Sequence, residues 1–209
     1  FDCFQCSEGN IAVGFNGIRQ YNGPLFDSGF SFNVLTQSLV DAFEIGDIRK
    51  EVAVLDIEDW ASKTGATYGT GYEHTGYFNR KYIARKGDSN IGDQNLTNPN
   101  NYRAIRYADV LLMAAEAHAR KSSPDNLKSN SYLNMVRSRA FSDNISQISL
   151  SGEALVDAIF NERRVEFAGE GHRFFDLVRT GKAQDFIDGF VINKHEIFPV
   201  PLQEIQFSN

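Results

Sequence analysis

Four carboxylates and four arginines are concentrated in one stretch of the chain, residues 161–179. Glu162 and Glu166 are four residues apart, so a helix places their Cβ atoms about 6 Å from each other. Two carboxyl groups separated by about 5–5.5 Å are typical of a retaining glycosidase. The same pair also suits a buried ion network, because interior carboxylates normally accept charge-assisted hydrogen bonds from arginine. We favour the network.

The expected partners of this network are close in the sequence. Arg163, Arg164 and Arg173 supply guanidinium groups near the two glutamates, and Asp176 offers a further acceptor. The apolar residues that precede Glu162 at helical spacing indicate that both glutamates face the interior. The network is therefore expected to tie the helix that carries Glu166 to the helix that follows it.

The aromatic residues of the first hundred positions form a second candidate site. Sugars present apolar C–H faces that stack on aromatic rings, and their hydroxyls need planar polar partners. Aromatic side chains here lie among Gly, Thr, Asn and Asp, which is typical of loops, and Trp60 is the first candidate for a solvent-reaching ring. The predicted carbohydrate-binding residues are Trp60, Tyr72, Tyr68, Tyr21, Asn22 and Tyr77. Tyrosines that only anchor a loop are the alternative.

Motifs for phosphate, cofactor or metal binding are incomplete. Residues 69–74 resemble a glycine-rich dinucleotide loop, but His74 replaces the third glycine. In an extended segment Cys3 and Cys6 would point to opposite faces, and a zinc site needs further ligands at suitable spacing. Two ordinary thiols are the favoured interpretation, and a disulfide between them is the alternative. No catalytic residue, cofactor or metal site is therefore predicted.

Composition and hydrophobicity argue against nucleic-acid binding and against a segment that spans a membrane. The chain has 209 residues and a formal net charge of −6, without a run of Lys and Arg, so nucleic-acid binding is disfavoured. No segment approaches the roughly 18–20 apolar residues that cross a bilayer. Phe1 resembles the inside of a strand, so we expect the chain to be part of a longer protein.

The periodicity of the sequence changes near residue 102. Residues 1–101 are predicted to form a loop-rich segment with a few short strands and one helix near 35–43. Residues 102–209 are predicted to be helical, with helices ending near Lys121, spanning 127–140, following Ser151 and spanning 172–179. Gly169 is expected to end the third helix in a left-handed conformation. The predicted fold is mainly α, with irregular loops and an antiparallel helix pair of the tetratricopeptide kind.

Four segments, in this order, are similar to one known family. They are residues 41–50 (DAFEIGDIRK), 105–117 (IRYADVLLMAAEA), 161–179 (NERRVEFAGEGHRFFDLVR) and 198–205 (FPVPLQEI). Each segment alone is a weak signal, but the ordered set is specific. The chain resembles the C-terminal portion of the SusD/RagB family of nutrient-binding lipoproteins.

This resemblance implies a fold, a location and a role. It implies a SusD-like fold with tetratricopeptide-like helix pairs, in a lipoprotein exposed on the outer membrane of a Bacteroidetes-type bacterium. The lipid anchor would lie in a missing N-terminal half. Such a protein captures an oligo- or polysaccharide, does not cleave it, and delivers it to a SusC-like TonB-dependent transporter. A helical module that binds a peptide or protein is the alternative, and a glycoside hydrolase is the least favoured hypothesis.

Overall fold

The computed structural model describes residues 12–71, 73–87, 100–141 and 146–207. The chain divides into two compact units, Phe1–Glu170 and Gly171–Asn209. None of the described helices combines the length and the hydrophobicity that a bilayer crossing requires. The domain boundary predicted between residues 101 and 102 stays a prediction.

Short elements and loops make up the described part of the chain before residue 102. In chain order they are α1 (Ala12–Asn16), β1 (Ile18–Arg19), β2 (Ser28–Gly29), α2 (Gln37–Val40), α3 (Arg49–Ala53), β3 (Val54–Asp56), α4 (Ile57–Thr64) and β4 (Tyr77–Asn79). β1 pairs with β2 in parallel, and β3 pairs with β4 antiparallel, with Leu55 opposite Phe78. The expected loop-rich structure with little sheet is confirmed for these residues.

A compact apolar cluster holds these loops in place. Ile18, Phe26, Ile57 and Phe78 are fully buried at its centre, and Leu55 is 3% exposed. Burying side chains of this size stabilises the fold by about 1.5–3 kcal/mol each. The irregular half of the chain is therefore organised by its own core rather than by an extended sheet.

Three long helices complete the first unit: α5 (Tyr107–Arg120), α6 (Asn126–Ala140) and α7 (Gly152–Glu166). Their common core contains Leu112, Ala115, Leu133, Leu155 and Ile159, all fully buried. Because these residues recur at helical spacing, they were predicted to form inward-facing stripes. The helices predicted from periodicity are confirmed, within a few residues at their ends.

α5 and α6 form the predicted antiparallel pair. The backbone N–H of Asp125 donates to His118, and the hydroxyl of Ser129 donates to the carbonyl of Ala115 at 2.8 Å. Later residues of α6 thus contact earlier residues of α5. The small Ala115 side chain permits this close approach. A short connection between neighbouring helices favours the same arrangement.

Capping residues mark the ends of α4, but the expected cap at the start of α7 is not formed. Ser151 occupies the N-cap position of α7, but its side chain makes no capping hydrogen bond. By contrast, Asp56 caps α4 by accepting from the N–H groups of Glu58 and Asp59. Gly169 follows α7 with φ of +74°, as predicted. α4 was not predicted, although Asp56 and the left-handed Gly65 are ordinary signals for its two ends.

The second unit contains α8 (Arg173–Arg179), α9 (Ala183–Phe186) and α10 (Leu202–Phe207). Within α8, Asp176 accepts an ion-paired hydrogen bond from Arg179, with 2.7 Å between nitrogen and oxygen. The guanidinium of Arg173 lies 5.2 Å from the ring centroid of Phe186. The helix predicted at 172–179 is confirmed as α8.

Candidate functional site

Several predicted carbohydrate-binding residues meet on one side of the first unit. Tyr21, Trp60 and Tyr68 all pack on the apolar cluster around Phe26 and Phe78. We call Tyr21, Trp60, Tyr68 and His74, with the backbone that carries them, the aromatic loop surface. Tyr21 comes from the segment after β1, Trp60 from α4, and Tyr68 and His74 from the loop that leads to β4. The structure therefore brings together residues that are far apart in the sequence.

Trp60 lies in α4 and is partly buried, so its predicted position in a loop is wrong. Its role in sugar binding stays a prediction. Its indole Nε1 donates to the hydroxyl of Tyr21 at 2.8 Å. Its ring packs against Phe26, with 5.4 Å between ring centroids. An indole that is buried normally finds a hydrogen-bond partner for its N–H. Trp60 therefore anchors the surface as well as contributing to it.

Tyr21 is a core residue with a defined hydrogen-bonding role. Its side chain is 7% exposed, and its hydroxyl donates to the carbonyl of Pro24 at 2.6 Å. A phenol has one proton to donate and lone pairs to accept with, so this bond and the bond from Trp60 are compatible. Tyr21 therefore has the loop-anchoring role that was the alternative for each candidate tyrosine.

The bond between Trp60 and Tyr21 leads to the first testable prediction. Trp60→Phe keeps a packed aromatic ring but removes the indole donor, so it should lower the free energy of unfolding by about 1 kcal/mol. Urea denaturation of Trp60→Phe, Tyr21→Phe and the double variant measures this effect. Because both single changes remove the same bond, their costs should not add. Additive costs would show that the bond contributes nothing.

Tyr68 presents a ring stacked on His74. The two ring centroids are 5.7 Å apart with 26° between the planes, and His74 in turn packs on Phe78. Tyr68 is partly buried, so one face rests on the histidine and the apolar cluster. His74 was not among the predicted site residues. Nothing in the local sequence of His74 predicts that it stacks on Tyr68 and packs against Phe78.

The loop that carries Tyr68 is fastened to the segment after β1 by backbone hydrogen bonds. Asn22 and Thr67 exchange N–H to carbonyl bonds of 2.9 and 2.8 Å, and the N–H of Gly69 donates to the carbonyl of Arg19. A Cβ atom at Gly69 would come within 2.5 Å of Oε1 of Gln20. A larger residue at Gly69 would therefore have to displace the side chain of Gln20. This close pairing fixes Tyr68 beside Tyr21.

The remaining predicted residues have different positions. Asn22 is exposed beside this loop pair, where its amide is open to solvent. Tyr77 lies in β4 and packs on a separate cluster around Leu35 and Val54, so it is not part of the aromatic loop surface. Tyr72 lies outside the described residues.

Glu166 is the centre of a buried ion network. Its carboxylate accepts from Arg49 at 3.0 Å, from Arg106 at 2.8 Å and from Arg139 at 2.5 Å. Arg49 begins α3, Arg106 immediately precedes α5 and Arg139 belongs to α6. The side chain of Glu166 is 2% exposed. One carboxylate of α7 therefore connects three other elements of the first unit.

Glu162 extends the network by one helical turn. It accepts from the same Arg49 nitrogen at 2.6 Å and from Arg137 at 2.9 Å. Arg137 also pairs with Glu44 at 2.7 Å. Both oxygens of Glu162 thus bind guanidinium groups. A buried network of carboxylates and arginines therefore exists in the described part of the chain, as predicted. Its expected link to the helix after α7 stays a prediction.

The partners of the two glutamates are not those that the local sequence indicated. Arg163 makes a buried ion pair of 2.6 Å with Asp109 of α5, and Arg164 donates to the hydroxyl of Ser38. The arginines found on the glutamates were not predicted, because they lie 25 to 117 positions away along the chain. Arg173 and Asp176 belong to the second unit.

The electrostatics around Glu166 oppose acid catalysis by that residue. Burial alone raises the pKa of a carboxyl group, but hydrogen bonds from Arg139 and Arg106 outweigh burial and lower the pKa of Glu166 to about 2. Burial raises the pKa of Glu162, against the opposing effect of Arg49 and Arg137. A general acid must carry a proton near its working pH, and Glu166 does not. Both oxygens of each glutamate are already occupied by arginine.

Among the described residues, no group of three or more His, Cys, Asp or Glu side chains is placed to hold a metal ion. The Cys3 and Cys6 pair lies outside those residues.

The sequence matches a known family profile and curated relatives. The sequence profile of the SusD family matches residues 57–197. SusD-like protein P25 of Formosa agariphila is 36% identical over 120 residues, which are 51% of this chain and 22% of that protein. The chain therefore spans about a fifth of the length of this curated relative.

Solved structures share the fold over nearly all of the chain. A laminarin binding SusD-like protein is 39% identical with a TM-score of 0.82, covering 96% of this chain and 43% of that one. Surface glycan-binding protein A from Bacteroides thetaiotaomicron, in complex with laminarihexaose, is 27% identical with a TM-score of 0.78. The match covers 96% of this chain and 45% of that protein.

Proposed function

Because this chain belongs to the SusD family, we propose that it is part of a surface protein that captures a glycan and does not cleave it. The observation that carries the proposal is the 39% identity, over 96% of the chain, to a laminarin binding protein. Laminarin is therefore the first glycan to test. The contributing surface in this chain is the aromatic loop surface.

The chemistry of that surface supports the proposal. Tyr68 is held by its stack on His74 and by the loop pairing at Asn22 and Thr67, so little motion is lost when a sugar packs on its ring. Aromatic side chains with few torsions lose little entropy on binding. The exposed amide of Asn22 supplies both donors and acceptors for sugar hydroxyls. Tyr21 and Trp60 pack on the same apolar cluster as Tyr68 and support the loops that carry Tyr68 and Asn22.

The wider role follows from the family rather than from any contact in this chain. We propose that the complete protein is a lipid-anchored component of the outer membrane, exposed at the cell surface, and passes its glycan to a SusC-like TonB-dependent transporter. Co-purification of the complete protein with the transporter encoded beside it tests this role. Isolation of the protein from cell-surface fractions without any such transporter would contradict it.

The second testable prediction concerns Tyr68 in the full-length protein. Tyr68→Ala should weaken laminarihexaose binding about tenfold, equivalent to about 1.4 kcal/mol, because a stacking platform is lost. Isothermal titration calorimetry measures the affinity. Tyr132→Ala is a matched control, since Tyr132 of α6 also stacks on a histidine, His118, with 5.7 Å between ring centroids.

The control separates binding from packing. Both substitutions remove a partly buried tyrosine from a histidine stack, so both should lower stability to a similar extent. Only Tyr68→Ala should lower the affinity for laminarihexaose. Equal affinities in the two variants would remove the aromatic loop surface from the proposal. Binding of peptides but of no glycan would instead favour the helical peptide-binding module.

A further inference from the structure

Gln20 has an unusual backbone conformation beside the aromatic loop surface. It lies between β1 and Tyr21, and its φ is +50°, in the left-handed region that residues with a Cβ atom rarely adopt. A residue held in this region costs folding energy, so the surrounding structure must enforce it. Glycine would occupy the position without steric strain. The glutamine side chain is therefore present at an energetic cost.

The pairing of the neighbouring residues explains the turn at Gln20. Arg19 of β1 pairs with Gly29 of β2. Asn22 pairs instead with Thr67, through the two backbone hydrogen bonds described above. The chain thus changes its pairing partner between Arg19 and Asn22, and Gln20 lies at the turn. Because both pairings are fixed by hydrogen bonds, the direction in which the Cβ atom of Gln20 points is fixed as well.

The side chain of Gln20 lies against the loop that carries Tyr68. A Cβ atom on Gly69 would come within 2.5 Å of Oε1 and 3.2 Å of Cδ of Gln20. The backbone N–H of Gly69 also donates to the carbonyl of Arg19 at 2.8 Å, which keeps the two segments in contact. The amide of Gln20 therefore rests on the residue that follows the stacking ring of Tyr68.

The amide of Gln20 is available to a ligand. Gln20 is exposed, and within the described ranges of the chain its side chain makes no hydrogen bond. Other amides of the first unit are used for structure: Asn130 and Asn134 of α6 each donate to and accept from one backbone residue, Leu150 and Ile148. An amide can both donate and accept, and Gln20 has both capacities left.

A ring and an amide side by side match the two kinds of surface that a sugar presents. The apolar C–H face of a sugar packs on an aromatic ring. The hydroxyls at its edge need partners that donate and accept. Tyr68 supplies the first contact. Gln20 supplies the second, because Oε1 can accept from one hydroxyl while Nε2 donates to another.

We infer that Gln20 is a sugar-binding residue, whose amide hydrogen-bonds hydroxyl groups of the glycan that stacks on Tyr68. This inference rests on the proposed function and adds to it the residue that orients the sugar on the aromatic loop surface. The strained backbone then has a function, because it aims the amide at the ligand.

Two substitutions in the full-length protein test this inference by isothermal titration calorimetry with laminarihexaose. Gln20→Gly removes the amide and accepts the φ of +50°, whereas Gln20→Glu keeps the length and the strain but removes the N–H donors. Each should weaken binding about threefold to tenfold, as expected for one or two lost hydrogen bonds. Unchanged affinity of Gln20→Gly would overturn the inference.

Thermal unfolding distinguishes sugar binding from a structural role of Gln20. Gln20→Gly should not lower Tm, because the relieved strain offsets the greater freedom of glycine in the unfolded chain. A lower Tm together with weaker binding would assign Gln20 to loop support and overturn the inference.

A double substitution tests where the amide acts. Gly69→Ala places a methyl group where the Gln20 amide lies, so it should weaken binding about as much as Gln20→Gly. In the Gln20→Gly background that space is empty, so Gly69→Ala should have no further effect. Independent effects of the two substitutions on the affinity would contradict the inference.

Tyr68→Ala separates this inference from the proposed function. If Tyr68→Ala weakens laminarihexaose binding and Gln20→Gly does not, the aromatic loop surface binds glycan without Gln20, and only the inference fails. If neither substitution changes the affinity, the glycan binds elsewhere and the proposed role of the surface fails too. Weaker binding by both variants supports both.

Discussion

Replacing Glu166 with glutamine is expected to lower the free energy of unfolding by about 2–4 kcal/mol, because it removes one partner of a buried ion network. Arg49, Arg106 and Arg139 then face a neutral amide that donates where they need an acceptor. Urea denaturation measures the loss. Glu153→Gln is the matched control: Glu153 lies exposed in the first turn of the same helix, so its replacement should cost about 0.3–1 kcal/mol.

The stability difference between the wild type and Glu166→Gln is expected to depend on pH. The pKa of Glu166 is about 2 in the folded state against 4.5 in the unfolded chain. A lowered folded-state pKa stabilises the fold above pH 4.5, and this contribution is lost as pH falls toward 2. The stability difference between wild type and Glu166→Gln should therefore shrink over that interval. A constant difference, or hydrolysis of laminarihexaose that Glu166→Gln abolishes without unfolding, would contradict the structural role.

Replacing Gly169 with alanine is expected to destabilise the first unit by about 3 kcal/mol or more. Gly169 has φ of +74°, and a Cβ atom there would lie 2.4 Å from Nδ2 of Asn79. The left-handed conformation alone costs an alanine about 1–2 kcal/mol. Displacing Asn79 adds to this cost, because its amide is fully buried and donates to Asn16 at 2.9 Å and to the carbonyl of Gly169 at 2.8 Å.

Gly65→Ala separates the two contributions to that effect. Gly65 ends α4 with φ of +70°, but a Cβ atom there would meet nothing within 4 Å. Its replacement should therefore cost only the conformational part, about 1–2 kcal/mol. Thermal or urea denaturation of both variants compares them. Equal decreases in the free energy of unfolding for Gly65→Ala and Gly169→Ala would show that the contact with Asn79 does not contribute.

The helical half of the chain was predictable because its core residues repeat at a fixed spacing. Leu112, Ala115 and Leu133 identify α5 and α6 from the sequence alone. α4 was missed although Ile57, Trp60 and Ala61 have helical spacing, because a helix of eight residues shows that spacing over only about two turns. Its capping residues Asp56 and Gly65 were the better signal, and they would have moved Trp60 from a loop to a helix.

The candidate site was only partly predictable, because its geometry depends on contacts between distant residues. Tyr21, Trp60 and Tyr68 were chosen by residue type and local composition. Nothing local to Trp60 indicates that its indole binds Tyr21, 39 positions earlier. The arginines around Glu166 were missed for the same reason. Residue type predicted that a buried carboxylate needs arginine, but only the tertiary structure shows which arginines supply it.

The long sequence separation of Arg49 and Glu166 has a consequence for synthesis on the ribosome. The two residues are 117 positions apart, and chains grow at about 5–20 residues per second. The carboxylate of Glu166 is therefore synthesised about 6–23 s after Arg49, the first residue of α3. During that interval Arg49 and the loops around it have emerged, but the helix that completes their packing has not. The surface of the loop-rich half that later packs against α7 is then exposed to aggregation and proteolysis.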